Sequence, residues 1–247
     1  MPNIEAFESA KKKVIGIDRQ RLGIGTLSEK TVHAILKNYY APNEDNQEIP
    51  IENYVADIYV QGEIIEIQTR QFNKLRDKLQ TFLPLYPVTI VYPIPLAKWL
   101  IWIDAESGEL SKKRKSPAKG SPYMVFPELY KIKSFLKNPN LRFRLALLNI
   151  EEYKILNGWS RDKKKGASRY DRIPTEFVQE VEIDCLADYM QFVPFELEEA
   201  FTSKDFANAA HIPVSLAQTV LNILYYVETV DRVGKKGNMY LYEPKEL

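Results

Sequence analysis

The chain has 247 residues, of which 45% are hydrophobic and 27% are charged, so it can bury a sizeable hydrophobic core. A single cysteine, Cys185, excludes an internal disulfide framework and a zinc site built from several cysteines. Two histidines are too few for a histidine-rich metal centre. The polar, lysine-bearing start of the chain indicates no secretory leader, and we expect a cytoplasmic protein.

Charge is distributed unevenly along the chain. Residues 1–170 contain 28 Lys and Arg against 19 Asp and Glu, whereas residues 171–247 contain 6 against 14. The first part therefore has the charge of a protein that binds a polyanion. A chance drift of surface charge between the two segments is the alternative.

The first two thirds of the chain alternate between helical and strand-like patterns. Residues 1–27 are a lead-in of unassigned structure, and a helix capped by Ser28 follows, with Val32, Ile35 and Leu36 at helical spacing. The polar segment 41–50 is predicted as a loop, and Gln61-Gly62 predicts the turn of a hairpin. The other predicted elements are strands over 54–60, 63–69, 88–93, 98–104 and 141–150, helices over 71–82 and 127–136, and a basic loop over 111–121.

The most apolar stretch, residues 83–103, could be mistaken for a membrane span. Its four prolines and Lys98 favour two buried strands joined by a proline turn, and we expect no membrane partner. The order of elements over residues 28–160 predicts an α/β domain with a mixed sheet flanked by helices.

Residues 161–175 form a predicted basic linker, and residues 176–247 read as a winged-helix domain. Helices are predicted over 176–190, 202–211 and 214–230, followed by a hairpin over 232–243. The second helix of this module's helix-turn-helix contains no Lys or Arg, although recognition helices usually draw on basic residues. DNA contact through the hairpin and contact with a protein partner or a second copy both stay open.

Polar residues interrupt the apolar hairpin at three positions. Glu66 and Gln68 are two residues apart and share a face of their strand, and a tight hairpin brings Asp57 alongside them. A solvated face is the simple alternative. The apolar strands that follow indicate a sheet covered on both sides, where carboxylates are costly unless a cation compensates them. Two converging carboxylates suit Mg²⁺.

Asp57, an eight-residue gap and Glu66-Ile67-Gln68 resemble the D…(D/E)xK hairpin of the PD-(D/E)xK nuclease superfamily. Glu29, on the preceding helix, matches the acidic residue that many of these nucleases carry on their first helix. The resemblance covers about a third of the chain, from residue 28 to about residue 104, and implies a restriction-endonuclease-like fold. It also implies a DNA endonuclease in which Asp57, Glu66, the carbonyl of Ile67 and Glu29 hold Mg²⁺, with Mn²⁺ able to substitute.

Gln68 departs from the family pattern, because lysine is usual at that position. Some restriction endonucleases of this class have glutamine there, and Gln68 would then hold the attacking water by hydrogen bonding. Lys74 or Lys78 on the following helix could supply the missing charge, and a solvated helix face is the alternative reading. His33 and His211 have no neighbours in the sequence that predict a metal ligand or a base.

The expected partner is DNA, contacted through its phosphates by basic residues. These are Lys112, Lys113, Arg114, Lys115, Lys163, Lys164, Lys165, Arg169, Lys235 and Lys236. A homodimer is a further expectation, since such nucleases often cut both strands by pairing. The alternatives are a non-catalytic DNA-binding or regulatory protein that retains the nuclease fold and an interaction scaffold that binds no nucleic acid.

Overall fold

The computed structural model describes residues 1–21, 30–158, 166–197 and 199–245. The helices are α1 (Ile4–Arg21), α2 (Lys30–Tyr40), α3 (Arg76–Phe82), α4 (Phe126–Lys131), α5 (Ser203–Ala209) and α6 (Val214–Tyr226). The strands are β1 (Gln47–Ile51), β2 (Tyr54–Val60), β3 (Glu63–Ile67), β4 (Val88–Asp104), β5 (Arg114–Lys115), β6 (Leu141–Leu156), β7 (Ser168–Ile183), β8 (Val230–Lys236) and β9 (Met239–Pro244). Short 3₁₀ turns precede α3 and α4 and follow β7.

The first seven strands form one mixed sheet in the order β1-β2-β3-β4-β6-β7, and β5 pairs with β4. Strands β1, β2 and β3 form an antiparallel meander, and β4 runs parallel to both β3 and β6. Strand β7 is antiparallel to β6. The predicted mixed sheet flanked by helices is therefore confirmed.

Hydrophobic side chains cover the sheet on both faces, in two clusters. Leu79, Leu129 and Leu221, from α3, α4 and α6, belong to one, which we call the α3–α6 cluster. Phe7 and Ile35, from α1 and α2, belong to the other, the α1–α2 cluster. The expectation of a sheet covered on both faces is confirmed. The N-terminal segment 1–27, whose structure the sequence left unassigned, contains the packed helix α1.

The predicted hairpin is present as β2 and β3. Gln61 and Gly62 both have positive φ, 51° and 85°, as the two central residues of a type I′ turn require. The segment predicted as a polar loop over 41–50 instead contains most of β1, an edge strand. Its apolar alternation is short, because it consists of Ile49 and Ile51 alone, and Pro50 between them argues against a strand in a sequence.

Strands 88–93 and 98–104, predicted as separate, are one continuous strand, β4. Pro95 lies where the pairing of β4 with β6 shifts, between Pro95 and Ala97, whereas Pro93 pairs with Ala146 in register. A bulge is a position at which a residue without an N–H is tolerated inside a sheet. The predicted strand 141–150 continues to Leu156.

The helix predicted over 176–190 is wrong, because residues 168–183 form β7 and pair with β6 throughout. Phe177 and Val181 are buried and four residues apart, a spacing that fits one face of a helix and of a strand equally well. The predicted boundary between residues 175 and 176 consequently falls inside a strand.

The C-terminal part contains the other predicted helices, as α5 and α6, and the predicted hairpin, as β8 and β9. Thr202, rather than the neighbouring Ser203, caps α5: its side chain accepts from two backbone N–H groups, and Asp205 accepts from the N–H of Thr202. Among the described residues, every helix is too short or too polar to span a bilayer.

Candidate functional site

Strands β2 and β3 separate where the two predicted carboxylates lie. Their pairing runs from Val60 opposite Glu63 to Ile58 opposite Ile65 and stops there, one residue before Asp57 and Glu66. A cavity of about 760 Å³ opens at this point and is bounded by residues of α2, β2, β3 and α3. Asp57, Glu66, Ile67 and Gln68 all contribute to its wall.

Asp57 is held by groups from two elements. Its Oδ2 accepts a hydrogen bond of 2.8 Å from the N–H of Ile67 and lies 3.1 Å from Nε2 of His33. Burial alone would raise the pKa of Asp57. The hydrogen bond and charge of His33, the Ile67 N–H and the charge of Lys78 outweigh burial and hold that pKa below its usual range. Asp57 therefore presents an ionised carboxylate to the cavity.

Glu66 is in the opposite electrostatic situation. Its side chain is only 4% exposed, and the Lys78 ammonium donates to both of its oxygens, at 2.9 and 2.8 Å. Burial, followed by repulsion from Asp57, raises the pKa of Glu66 from 4.5 to about 7, against the attraction of Lys78. Ionisation of Glu66 beside the ionised Asp57 is therefore costly, and a cation next to Glu66 stabilises its carboxylate form.

Lys78 does not lie on a solvated helix face. Its side chain is 22% exposed, and in addition to Glu66 it donates to the carbonyl of Val55 at 2.8 Å. Helix α3 therefore directs an ammonium group at the buried carboxylate, as one of the two readings of the sequence anticipated. Lys74, the other candidate, lies at the wall of the same cavity.

His33 has a role that the sequence analysis missed. The sequence around His33 predicts neither a metal ligand nor a base, whereas its ring contacts Asp57 at the cavity wall. The only signal was its place in α2, between the buried residues Val32 and Ile35, which puts it at the edge of the packed face. The helix pattern does not predict that Asp57 lies next to His33 in the folded chain.

Gln68 continues the line of β3 beside β4. Its backbone N–H donates to the carbonyl of Val91 at 2.9 Å, and its side-chain Nε2 donates to the carbonyl of Arg70 at 2.5 Å. Glu29, the remaining predicted ligand, lies outside the described residues.

The cavity has some of the ligands that a hard divalent cation requires, but not all of them. Two carboxylates meet there, and oxygen ligands are the ones that Mg²⁺ prefers. Within the part of the chain that the structure describes, no group of three or more His, Cys, Asp and Glu side chains could hold a metal ion. A divalent ion at Glu66 would also have to displace the Lys78 ammonium from both carboxylate oxygens.

Among the described residues, Arg169 is the one predicted DNA-binding residue that lies near the cavity: it lines a smaller pocket that shares Thr69 with the cavity, and the others line neither of the two. Lys113 and Lys115 lie over the Trp99 ring, 5.1 and 5.5 Å from its centre, on a loop and short strand with Lys112 and Arg114. Trp99 is nine residues along β4 from Ile90, the partner of Glu66, which corresponds to about 30 Å of extended chain. Lys235 and Lys236 are exposed on β8, and Lys163, Lys164 and Lys165 are not among the described residues.

Comparisons with known proteins place this arrangement in a family. The sequence model described as "Domain of unknown function (DUF8091)" matches residues 30–184, which include the whole seven-stranded sheet. A protein of Treponema pallidum (strain Nichols) named "Uncharacterized protein" is 27% identical over 215 residues, which cover 87% of this chain and 74% of that protein. No solved structure matches the chain.

Proposed function

The chain belongs to the DUF8091 family, and we propose that it is a metal-dependent DNA endonuclease whose active site is the cavity between α2, β3 and α3. The observation that carries the proposal is the pairing of two carboxylates in one cavity. One has its pKa lowered and the other has its pKa raised to about 7. Oppositely perturbed titratable groups in a cleft are typical of catalytic sites.

Each residue of the site has a distinct task in this proposal. Asp57 and Glu66 would hold Mg²⁺, with the carbonyl of Ile67 and Glu29 as further ligands and with Mn²⁺ able to substitute. The ion would polarise the phosphoryl oxygen and lower the pKa of a bound water. His33 and the N–H of Ile67 keep Asp57 ionised and in place.

Two residues divide the task of the lysine that the family pattern usually has at the position of Gln68. Gln68 would orient the attacking water by hydrogen bonding. Lys78 would supply the positive charge, since α3 directs its ammonium into the same cavity. An ammonium near a developing negative charge stabilises it most strongly where water is excluded.

The arrangement of elements supports a restriction-endonuclease-like core. A helix, an antiparallel three-stranded meander, a second helix and a parallel strand follow one another as α2, β1, β2, β3, α3 and β4. The succession α5, α6, β8 and β9 supports the winged-helix interpretation of the C-terminal part. We infer a homodimer on DNA from the nuclease interpretation, since such nucleases often cut both strands by pairing.

The decisive experiment replaces each carboxylate by its amide. Asp57→Asn and Glu66→Gln should each lower Mg²⁺-dependent cleavage of plasmid and branched DNA by about 100-fold or more, because oxygen ligands with full negative charge are lost. Glu106→Gln is the matched control, since Glu106 is exposed on the loop after β4. Cleavage at the wild-type rate by both site variants would refute the proposal.

One observation favours the second candidate, a non-catalytic DNA-binding protein that retains the fold. Lys78 already neutralises Glu66 and is anchored by a third hydrogen bond to Val55. If Lys78 is a permanent counter-ion, the wild-type protein should bind DNA, show no heat of Mg²⁺ binding in calorimetry and cut no DNA. The endonuclease instead predicts that Lys78→Met binds Mg²⁺ more tightly than the wild type, because the competing ammonium is gone, and cleaves more slowly.

A further inference from the structure

Strands β4, β6 and β7 continue past the end of β3 and form an arm beside the cavity, and β5 pairs with the outer edge of β4 there. On this arm Leu100 pairs with Glu152, and Glu152 pairs with Arg172. The Glu152 side chain is only 4% exposed, although it lies in the part of β6 that extends beyond β3. A buried carboxylate in such a place needs cationic partners.

Glu152 is surrounded by cations from β4, β6 and β7. Arg172 donates from Nε to Oε2 at 3.0 Å, and Nε of Arg169 and Nζ of Lys154 each lie 3.6 Å from a carboxylate oxygen. Lys98 is near enough to be attracted by Glu152 and repelled by Arg172, Arg169 and Lys154. We call these four residues and Glu152 the Glu152 cluster.

Positive charge exceeds negative charge around Glu152, because four cationic groups face its carboxylate. Asp171, which accepts a hydrogen bond from Thr31 and lines the adjoining pocket, adds a second carboxylate, and the cations still outnumber the carboxylates by four to two. The cations are partly buried as well: burial, together with the three neighbouring positive charges, lowers the pKa of Lys98 although Glu152 opposes the change. Arg172, Arg169 and Lys98 hold the pKa of Glu152 low against its own burial. A partly desolvated excess of positive charge is stabilised by an anion that accepts charge-assisted hydrogen bonds.

The Glu152 cluster adjoins the carboxylate cavity. A smaller pocket lined by Arg169, Arg172, Pro93 and Thr69 lies at the base of the arm, and Thr69 also lines the carboxylate cavity. A linear polyanion seated at Asp57 and Glu66 would therefore pass next to the cluster.

We propose that Glu152 organises Lys98, Lys154, Arg169 and Arg172 into a binding site for backbone phosphates of the nucleic acid that enters the carboxylate cavity. This inference rests on the proposed function, and it names Lys98, Lys154 and Glu152 as members of a substrate-binding site. Glu152 is a positioning residue: it fixes Nε of Arg172, so that the guanidinium plane is set before a phosphate binds. Phosphate contacts of this kind add affinity and register without reading sequence.

The test measures binding without cleavage. The full-length protein is titrated against a fluorescein-labelled DNA duplex in EDTA, and anisotropy is followed between about 50 and 200 mM salt. Arg172→Gln and Lys154→Gln should each reduce the slope of log K against log salt by about one and weaken binding by about tenfold at 0.1 M salt. Lys204→Gln, an equal change of charge at an exposed position of α5, should leave both quantities unchanged.

Several controls separate this inference from the proposed function. The assay in EDTA contains no cleavage step, so the salt slopes are measured whether or not Asp57 and Glu66 form an active site. Lys154 is partly exposed, so Lys154→Gln should keep the wild-type melting temperature and report binding alone. Wild-type salt slopes in both cluster variants would overturn the inference, whether or not the protein cuts DNA.

The source of the phosphate is tested in the same assay. Inorganic phosphate at the ionic strength of the chloride buffer should displace the duplex no better than chloride does. Displacement by inorganic phosphate that disappears in Arg172→Gln would identify a site for free phosphate and overturn the assignment to a nucleic acid backbone. If the wild type cuts no DNA but the cluster variants lose salt slope, the endonuclease proposal fails and the phosphate site stands.

Discussion

Asp57 and Glu66 are both carboxylates on adjacent strands, yet their surroundings push them in opposite directions. Both carboxylates accept a backbone hydrogen bond, but Asp57 lies beside a histidine ring and is 23% exposed, whereas Glu66 pairs with the Lys78 ammonium and is only 4% exposed. The chemical difference therefore arises from burial and neighbours and not from residue type. It has a consequence for stability that can be measured without any substrate.

We expect Glu66 to make the folding stability fall as pH rises from 4.5 to 7. The raised pKa means that the folded carboxyl keeps its proton in this range while the unfolded chain loses it, so the unfolded state is favoured as pH rises. In Glu66→Gln this fall should vanish, a relative change of up to about 3 kcal/mol between pH 4.5 and 8. Urea unfolding in EDTA at a series of pH values measures it.

Asp57 does not contribute to the change in unfolding free energy between pH 4.5 and 8. Its pKa is lowered, so the stability that it contributes is present above pH 3.8 and is lost only as pH falls further. Glu106→Gln, at an exposed position, should reproduce the wild-type pH profile. A Glu66→Gln profile parallel to the wild type would contradict the raised pKa.

At the scale of elements, the shape of β4 depends on the backbone that packs against its bulge. The N–H of Gly120 donates to the carbonyl of Leu96 at 2.9 Å, beside the register shift between Pro95 and Ala97. A Cβ built at residue 120 would lie 2.2 Å from the carbonyl oxygen of Pro95. The backbone at residue 120 can therefore approach β4 this closely because Gly120 has no side chain.

Gly120→Ala should destabilise the protein by about 1–3 kcal/mol, because backbone must move to relieve the contact. Gly16→Ala is the matched control and should change stability in the other direction, by about 0.5–1 kcal/mol. Gly16 lies inside α1, and no atom beyond its own helix and chain neighbours comes within 4 Å of a Cβ placed there. Equal effects of the two substitutions in denaturant unfolding would show that the close approach is absent.

On the scale of the whole molecule, the C-terminal helices share the α3–α6 cluster with the sheet. Leu221 on α6, Leu129 on α4 and Phe143 on β6 belong to this one cluster, and all three are buried. Strand β7 runs without interruption from Ser168 to Ile183, across the predicted domain boundary between residues 175 and 176. We therefore expect the sheet and the C-terminal helices to unfold together.

Leu221→Ala should lower the free energy of unfolding by about 2–5 kcal/mol, since the side chain is fully buried and a cavity would remain. Tryptophan fluorescence reports chiefly on the sheet, because Trp99 and Trp102 lie on β4, and far-ultraviolet circular dichroism reports on the helices. Both signals should shift equally, whereas Val214→Ala, at an exposed position of α6, should shift neither. A fluorescence transition that stays in place would indicate independent domains.

The amino-acid sequence by itself determined the hairpin, the order of most elements and the positions of Asp57, Glu66 and Gln68 along it. Those features depend on local information: Gln61-Gly62 specifies its turn, and the spacing of Asp57, Glu66 and Gln68 survives any tertiary arrangement of the strands. Where the local pattern fits two periods, as at Phe177 and Val181, prediction failed, because a four-residue spacing suits a helix and a strand alike.

Tertiary structure alone decided which groups surround the carboxylates. His33 and Lys78 come from different helices, 24 and 12 residues from their partners, and the four cations around Glu152 come from three strands. The periodicity of the sequence does not predict such contacts, because they depend on how α2, α3 and the long strands pack across the sheet. The pKa of Glu66 is set by the same packing, because burial and the approach of Asp57 exist only in the folded chain.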